Sequence, residues 1–230
     1  MKTEIFEFNE GARKADGIAV IIDVFRAFSV ACYAFDSGAV QYIAVGEPSA
    51  AFKLKERYPD AILVGERNER KIAGFDLGNS PTEILQHDLK GKTIIHTTTA
   101  GTQGLVNAQN ASAVITGSLV NAAAIVRYIT SLSPDKVSLV AMGYRAEVSA
   151  DEDILCARII SERLNNNYKN YIDEISQLKT SSGCRFFNPL NLEFSPPTDF
   201  FLCTMLDRFN FVLKAEQRHD GNITLIKIDI

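Results

Sequence analysis

Several acidic residues follow short apolar runs, at positions where a carboxylate can take part in catalysis or hold a metal. Asp23 closes IAVIID, Glu66 closes AILVGE, and Asp76 lies between two glycines in GFDLG. Glu152 and Asp153 follow a further apolar run. Hard divalent cations such as Mg²⁺ take carboxylate oxygens from separate elements together with water. As a group these acids predict a metal site, although each alone has a structural explanation such as helix capping.

The sequence leaves three roles open for Asp23: magnesium ligand, nucleophile, or cap of the helix that follows. Arg26, three residues further on, could stabilise charge on a transferring group. One of the other carboxylates, Asp153 or Asp76, could orient an attacking water molecule.

A second polar stretch, HTTTAGT at residues 96–102, could bind an anion. Three hydroxyls and a glycine between a strand and a helix can present several donors to one phosphate or sulfonate. The alternative is that the threonines only extend the strand and cap the helix. His96 could protonate a leaving oxygen, but a lone histidine at a strand end is more often scaffolding. No P-loop lysine follows, which disfavours a P-loop nucleotide site.

The stretch GERNERK, at residues 65–71, carries three bases. Arg67, Arg70 and Lys71 either form a solvated loop or clamp a substrate with more than one negative charge.

A scaffold for these residues is visible in six apolar, β-branched runs, each followed by a segment that fits a helix. Strands buried on both faces have this pattern, so we predict an α/β fold with a mostly buried mixed or parallel sheet. The ligand crevice of such sheets lies at the carboxyl ends of the strands, where these polar residues stand. The runs occupy residues 18–24, 42–46, 61–66, 92–98, 112–118 and 137–143.

Local signals place some helix starts and one turn. Residues 80–83, Ser-Pro-Thr-Glu, predict a capped helix start, and residues 149–152, Ser-Ala-Asp-Glu, predict a second capping box. Two alternating runs around Asp220-Gly221 predict a C-terminal β-hairpin. Without a repeat or a linker, we expect a single domain over residues 1–230.

Composition excludes several classes of partner. The formal net charge is −4, and the basic residues form no stripe, so no nucleic-acid partner is expected. No apolar stretch has the length of a membrane span and no leader pattern is seen, so we expect a cytoplasmic protein without membrane contacts. The four cysteines form no CxxC pair, which argues against a zinc knuckle or a disulfide scaffold.

Four motifs in this order, IIDVFRA, GERNERKIAGFDLGNSP, HTTTAGT and DEDILCA, resemble the 2-phosphosulfolactate phosphatase family. The resemblance covers residues 17–160 in matching segments. It implies a three-layer α/β/α fold, a homodimer, and a Mg²⁺-dependent enzyme that converts 2-phospho-3-sulfolactate, a small anionic phosphorylated substrate, to 3-sulfolactate and inorganic phosphate.

The resemblance also implies roles for individual residues. The catalytic residues would be Asp23, Arg26 and Asp153. The metal ligands would be Asp23, Glu66, Asp76 and Glu152. The substrate-binding residues would be Arg67, Asn79, Ser80, Thr97, Thr98, Thr99, Gly101 and Thr102.

Five positions depart from the family pattern, Phe25, Phe28, Ser29, Ala100 and Arg158. Phe25 stands where leucine is common, and Ala100 stands where asparagine is common. The first adds apolar bulk and the second removes a donor, so a phosphatase acting on another phosphorylated small acid is one alternative. A non-catalytic anion-binding protein is the other, and it would tolerate alanine at Asp23.

Overall fold

The computed structural model describes residues 1–230 and has an α/β fold built on one mixed sheet of ten strands. The strands are β1 Lys2–Glu7, β2 Ile18–Ile22, β3 Gln41–Ala44, β4 Ile62–Arg67, β5 Arg70–Lys71, β6 Thr93–Thr97, β7 Ala113–Gly117, β8 Lys136–Ala141, β9 Phe211–Gln217 and β10 Ile223–Asp229. All six predicted strands are present, and the predicted C-terminal hairpin is confirmed as β9–β10.

Nine helices pack around the sheet: α1 Phe8–Lys14, α2 Ala27–Asp36, α3 Pro48–Arg57, α4 Pro81–Leu85, α5 Gly101–Asn107, α6 Ala122–Leu132, α7 Asp151–Leu164, α8 Ile172–Gln177 and α9 Pro197–Cys203. Helix α4 is capped as predicted, because the Ser80 Oγ accepts the Glu83 N–H at 3.3 Å. The predicted capping box before α7 is wrong. That helix begins after Ala150, whose methyl side chain cannot accept a hydrogen bond.

Strand β2 explains why its sequence is an unbroken apolar run. Its alternate side chains enter two different cores: Ala19 and Ile21 join the one that contains α2 and α5, whereas Val20 and Ile22 join the one that contains α6 and α7. Because both faces are covered, no position of this strand can be polar without an internal partner.

The order of strands in the sheet is β1-β8-β2-β7-β9-β10-β3-β6-β4-β5. Strands β1, β8, β2 and β7 are parallel to each other, and so are β3, β6 and β4. The β9–β10 hairpin lies between these two groups and pairs antiparallel with both. Three successive reversals make the two parallel groups run in opposite directions.

Their polar strand ends therefore do not meet along a common edge of the sheet, as the sequence-based argument assumed. They meet because helix α5, which follows β6 in one group, packs against β2 in the other group and against α1 and α2. This contact brings the end of β2 and the end of β6 to the same cleft.

Candidate active site

A polar cleft with an empty volume of about 450 Å³ lies at this junction. Its walls come from the loops after β2, β4, β5, β6 and β8 and from the C-terminal segment that follows α8. The lining residues are Asp23, Phe25, Arg26, Glu66, Asn68, Glu69, Asn79, Thr98, Thr99, Ala100, Gly143, Tyr144, Arg145 and Arg185.

Asp23 stands at the inner end of the cleft, one residue beyond β2. The Ala27 N–H donates to its Oδ1 at 3.1 Å, and no group of the chain donates to its Oδ2. Burial raises the pKa of Asp23 to about 7; the Ala27 N–H opposes this, and the charges of Glu152 and Glu66 add to it. The chain thus holds a carboxylate with one free oxygen and a pKa well above that of an ordinary aspartate.

The turn that contains Thr97, Thr98 and Thr99, here the threonine turn, lies close to Asp23. The close approach is possible because residue 101 is a glycine. A Cβ at Gly101 would lie 2.8 Å from Asp23 Oδ2, so a larger residue would displace the carboxylate. Thr98 Oγ1 accepts the Thr102 N–H at 3.3 Å, and Thr102 Oγ1 donates to the Thr98 carbonyl at 3.0 Å. Thr98, Thr99 and Ala100 line the cleft, whereas Thr102 only supports the turn.

Glu66 joins this turn to the loop after β4. Its Oε1 accepts hydrogen bonds from the Thr99 N–H at 2.8 Å and from Thr99 Oγ1 at 2.9 Å, and its Oε2 accepts the Glu69 N–H at 2.8 Å. The carboxylate is buried but lines the cleft, so it orders both walls and still presents lone pairs to a ligand.

His96 is a scaffold for Asn79 and cannot serve as a general acid. Its Nδ1 lies 2.6 Å from the Tyr42 hydroxyl, and its Nε2 lies 3.2 Å from Asn79 Oδ1. Since the tyrosine hydroxyl can donate to Nδ1, the neutral ring can donate from Nε2. Burial lowers the pKa of His96 to about 3, so the ring stays neutral at pH 7. Because Asn79 Oδ1 accepts from His96, the Asn79 Nδ2 group remains available to donate to a ligand in the cleft.

Three arginines line the cleft. Arg26 is buried and donates to Asp199 Oδ2 at 2.7 Å and to the Phe194 carbonyl at 2.6 Å. Arg185 donates to Glu69 Oε1 and to the Phe25 carbonyl, both at 3.0 Å. The third, Arg145, is exposed and donates to Asn68 Oδ1 at 2.6 Å.

The two acids at the start of α7 are buried behind Asp23 and have different surroundings. Asp153 accepts the Val24 N–H at 2.8 Å and the Gly143 N–H at 2.9 Å, so it holds the ends of β2 and β8 together. Burial raises its pKa well above the usual range. Glu152 Oε2 is buried without any hydrogen-bond partner. Neither residue lines the cleft directly.

Four further residues predicted for the site have side chains that point elsewhere. Arg67 donates to the Gly46 carbonyl at 3.0 Å and to Thr97 Oγ1 at 3.1 Å, which removes both side chains from the cleft. Ser80 donates to Asp199 Oδ1 at 2.8 Å and caps α4. Asp76 is exposed, and its Oδ2 accepts the N–H of a β4 residue at 2.8 Å.

The residues present fit a magnesium ion only if substrate and water complete its coordination. No group of three or more histidine, cysteine, aspartate or glutamate side chains is arranged to hold a metal ion. Near the cleft, Glu152 Oε2 is buried without a partner and Asp23 accepts a hydrogen bond only through Oδ1, which leaves Oδ2 free. The Glu152 charge contributes to the raised pKa of Asp23. Mg²⁺ is commonly held by one or two carboxylates together with waters and a phosphate, which suits this smaller donor set.

Several cleft residues were missed from the sequence. Tyr144 and Arg145 directly follow Gly143 after β8, so the strand-end argument applied to the other loops could have found them. Asn68 and Glu69 lie in the GERNERK stretch, where the three bases are the conspicuous signal. No sequence motif pointed to Arg185, because it reaches the cleft from a segment far along the chain.

Comparison with known proteins places this geometry in context. The family described as 2-phosphosulpholactate phosphatase matches residues 6–218. A probable 2-phosphosulfolactate phosphatase of Bacillus subtilis is 30% identical over 230 residues, which are 99% of this chain and 98% of the relative. Relatives with the same description occur in Caldanaerobacter subterraneus, 42% identical over 69% of this chain, and Carboxydothermus hydrogenoformans, 39% identical over 70%.

The Caldanaerobacter match spans 66% of that relative and the Carboxydothermus match 67%, whereas the Bacillus match runs almost from end to end. The family match includes all four sequence motifs and the Arg185 segment. The chain belongs to the 2-phosphosulpholactate phosphatase family.

Proposed function

We propose that the protein is a phosphoric monoester hydrolase that converts 2-phospho-3-sulfolactate to 3-sulfolactate and inorganic phosphate. The observation that carries the proposal is that Asp23, with a free Oδ2, and the Thr98–Thr99 turn line one cleft together with three arginines. Membership of a phosphatase family and the names of the relatives support the substrate.

The charges of the cleft suit a substrate with several anionic groups. 2-Phospho-3-sulfolactate carries a phosphate, a sulfonate and a carboxylate, and guanidinium groups donate paired hydrogen bonds to such oxyanions. Asn79 Nδ2 and the Thr98 hydroxyl, which accepts but does not donate within the chain, add neutral donors beside Asp23, where the phosphate would lie. Donors fixed in advance stabilise the charge that develops on a transferring phosphoryl group.

We further propose that Mg²⁺ assists the reaction and is held by Asp23 and Glu152, with Glu66 nearby. When bound, the ion would neutralise charge on the phosphoryl oxygens. A cation beside Asp23 would also favour the ionised form of this carboxylate, against the effect of burial. Asp76 has no part in this proposal because its side chain lies outside the cleft.

Two routes fit the geometry, and both consume one water molecule. Asp23 Oδ2 can attack phosphorus, so that the ester P–O bond breaks and the leaving oxygen takes a proton from solvent. Water then attacks the phosphorus of the acyl phosphate, which releases inorganic phosphate and restores the Asp23 carboxylate. Alternatively, Asp23 orients a water molecule that attacks phosphorus directly. Acid quenching during turnover followed by mass spectrometry of the protein separates them, because only direct attack by Asp23 gives a phosphorylated aspartate that can be trapped.

A homodimer in the cytoplasm is part of the same proposal. No helix of the chain combines the length and hydropathy that a membrane crossing requires. Light scattering coupled to size exclusion measures the oligomeric state.

A second candidate is hydrolysis of a different phosphorylated small acid. Its supporting observation is that two of the residues that depart from the family pattern, Phe25 and Ala100, line the cleft itself. A panel of phosphate monoesters compared by kcat/KM distinguishes the two, since the preferred substrate would be one with more apolar surface than sulfolactate.

The decisive experiment measures phosphate release from 2-phospho-3-sulfolactate with Mg²⁺ and with EDTA. Wild-type protein should be active only with the metal, and Asp23→Asn should be inactive. Asp173→Asn makes the same chemical change at an exposed carboxylate of α8 and should keep full activity. Binding of the substrate without phosphate release, by wild-type protein with Mg²⁺, would instead favour the anion-binding protein.

A further inference from the structure

The three cleft arginines differ in what balances their charge. Arg26 forms a buried ion pair with Asp199, and Arg185 pairs with Glu69. Arg145 pairs with no carboxylate and donates only to the neutral amide oxygen of Asn68. It is therefore the cleft cation whose charge the chain itself leaves uncompensated.

The position of Arg145 is set by a closed turn after β8. The Tyr144 N–H donates to the Val148 carbonyl at 2.8 Å, and the Val148 N–H donates back to the Tyr144 carbonyl at 3.1 Å. The buried Asp153 holds the start of this turn through the Gly143 N–H. The backbone of Arg145 is thus placed by the fold, while its exposed guanidinium contacts the Asn68 amide oxygen and the Tyr144 ring, 5.3 Å from its centroid.

The hydrogen bond between Arg145 and Asn68 links the loops on either side of the cleft. Both residues have a left-handed backbone, with φ of 57° for Arg145 and 54° for Asn68, as does the neighbouring Glu69 at 69°. For residues other than glycine this conformation is uncommon and costs about 1 kcal/mol or more. Residues with this unfavourable backbone conformation therefore lie on both sides of the cleft.

We propose that Arg145 determines specificity by binding the acidic group of the substrate that does not react, a sulfonate or a carboxylate. The inference rests on the proposed phosphatase function and deepens it. The phosphate would lie deeper, beside Asp23 and the Thr98–Thr99 turn, and the remote acid would replace Asn68 as the partner of the exposed guanidinium. Arg26 and Arg185 are less suited, because each already holds a carboxylate in place.

The test compares Arg145→Ala with wild type on two substrates, 2-phospho-3-sulfolactate and phenyl phosphate, which has no second acid. Arg145→Ala should lower kcat/KM at least tenfold for the first substrate, mainly through KM, and less than twofold for phenyl phosphate. Arg145→Lys should recover part of the loss, since it restores the charge without the paired donors. Arg13→Ala, at an exposed arginine on α1, is the matched control and should change neither substrate.

Equal losses on both substrates, or no loss on either, would overturn the inference. If wild-type protein hydrolyses neither substrate, the proposed function fails. The role of Arg145 can then still be tested by measuring anion binding. Calorimetry with 3-sulfolactate and with inorganic phosphate should then show that Arg145→Ala weakens only the binding of 3-sulfolactate. An equal change for both anions, or none, would refute the role of Arg145.

Discussion

The buried His96 makes a specific prediction about the stability of this protein in acid. Its ring is held between the Tyr42 hydroxyl and Asn79 Oδ1, and burial lowers its pKa from 6.5 to about 3. In the unfolded chain the ring takes up a proton near its ordinary pKa, whereas the folded protein excludes that proton. The contribution of His96 to stability is therefore complete above pH 6.5 and is lost progressively as the pH falls towards 3.

The magnitude follows from the two pKa values. Each unit of pH between them costs about 1.4 kcal/mol of unfolding free energy, because one proton binds only to the unfolded chain. From pH 7 to pH 5 the loss due to His96 is about 2 kcal/mol. This is a large fraction of the 5–15 kcal/mol by which domains are commonly stable.

The assay is urea unfolding followed by circular dichroism at pH 7 and pH 5, in EDTA, for wild type and His96→Gln. Glutamine has no ionisable ring, so the pH-dependent loss should be smaller in the variant by about 2 kcal/mol. His219→Gln, at an exposed histidine of the β9–β10 turn, is the matched control and should follow wild type.

Equal pH dependence in wild type and His96→Gln would refute this reasoning. So would an NMR titration in which the His96 ring takes up a proton between pH 7 and pH 5. Either result would mean that the ring can be charged inside the fold, and the argument that His96 only orients Asn79 would fail with it.

Three further substitutions test the framework of the cleft. Gly101→Ala puts a methyl 2.8 Å from Asp23 Oδ2 and should lower kcat in the phosphate-release assay at least tenfold, with a loss of about 1–3 kcal/mol in urea unfolding; unchanged kcat would contradict the close approach. Asp199→Asn removes the buried partner of Arg26 and should cost about 3–5 kcal/mol in the same unfolding assay and raise KM; an unaltered KM would show that Arg26 does not need this partner. Glu66→Gln turns an amide NH₂ towards a backbone N–H and should lower the free energy of unfolding in urea by about 1–3 kcal/mol. A variant as stable as wild type would contradict this role of Glu66.

The sequence predicted the local elements well, because their signals are local. Uninterrupted β-branched runs arise where both faces of a strand are buried, as β2 shows. Ser80 caps its helix by accepting the N–H of Glu83, only three residues further on. The hairpin turn at Asp220-Gly221 depends only on the backbone conformations that these two residues can adopt. The positions of Asp23, Glu66 and the threonine turn at strand ends followed from these same signals.

Which side chains face the cleft depended on contacts that no local signal contains. Arg67, Asp76 and Ser80 belong to the same motifs as the cleft residues, but nearby backbone groups and Asp199 take up their side chains. In contrast, Arg185 comes from a segment that had suggested no function.

The sequence by itself therefore determined the strands, the hairpin and the residue types able to hold a phosphate. Only the tertiary structure decided that the β9–β10 hairpin separates two oppositely directed groups of strands and that α5 joins them at Asp23. The physical reason is that strand propensity and capping act over a few neighbouring residues, whereas strand order and the direction of a side chain are set by packing between distant segments.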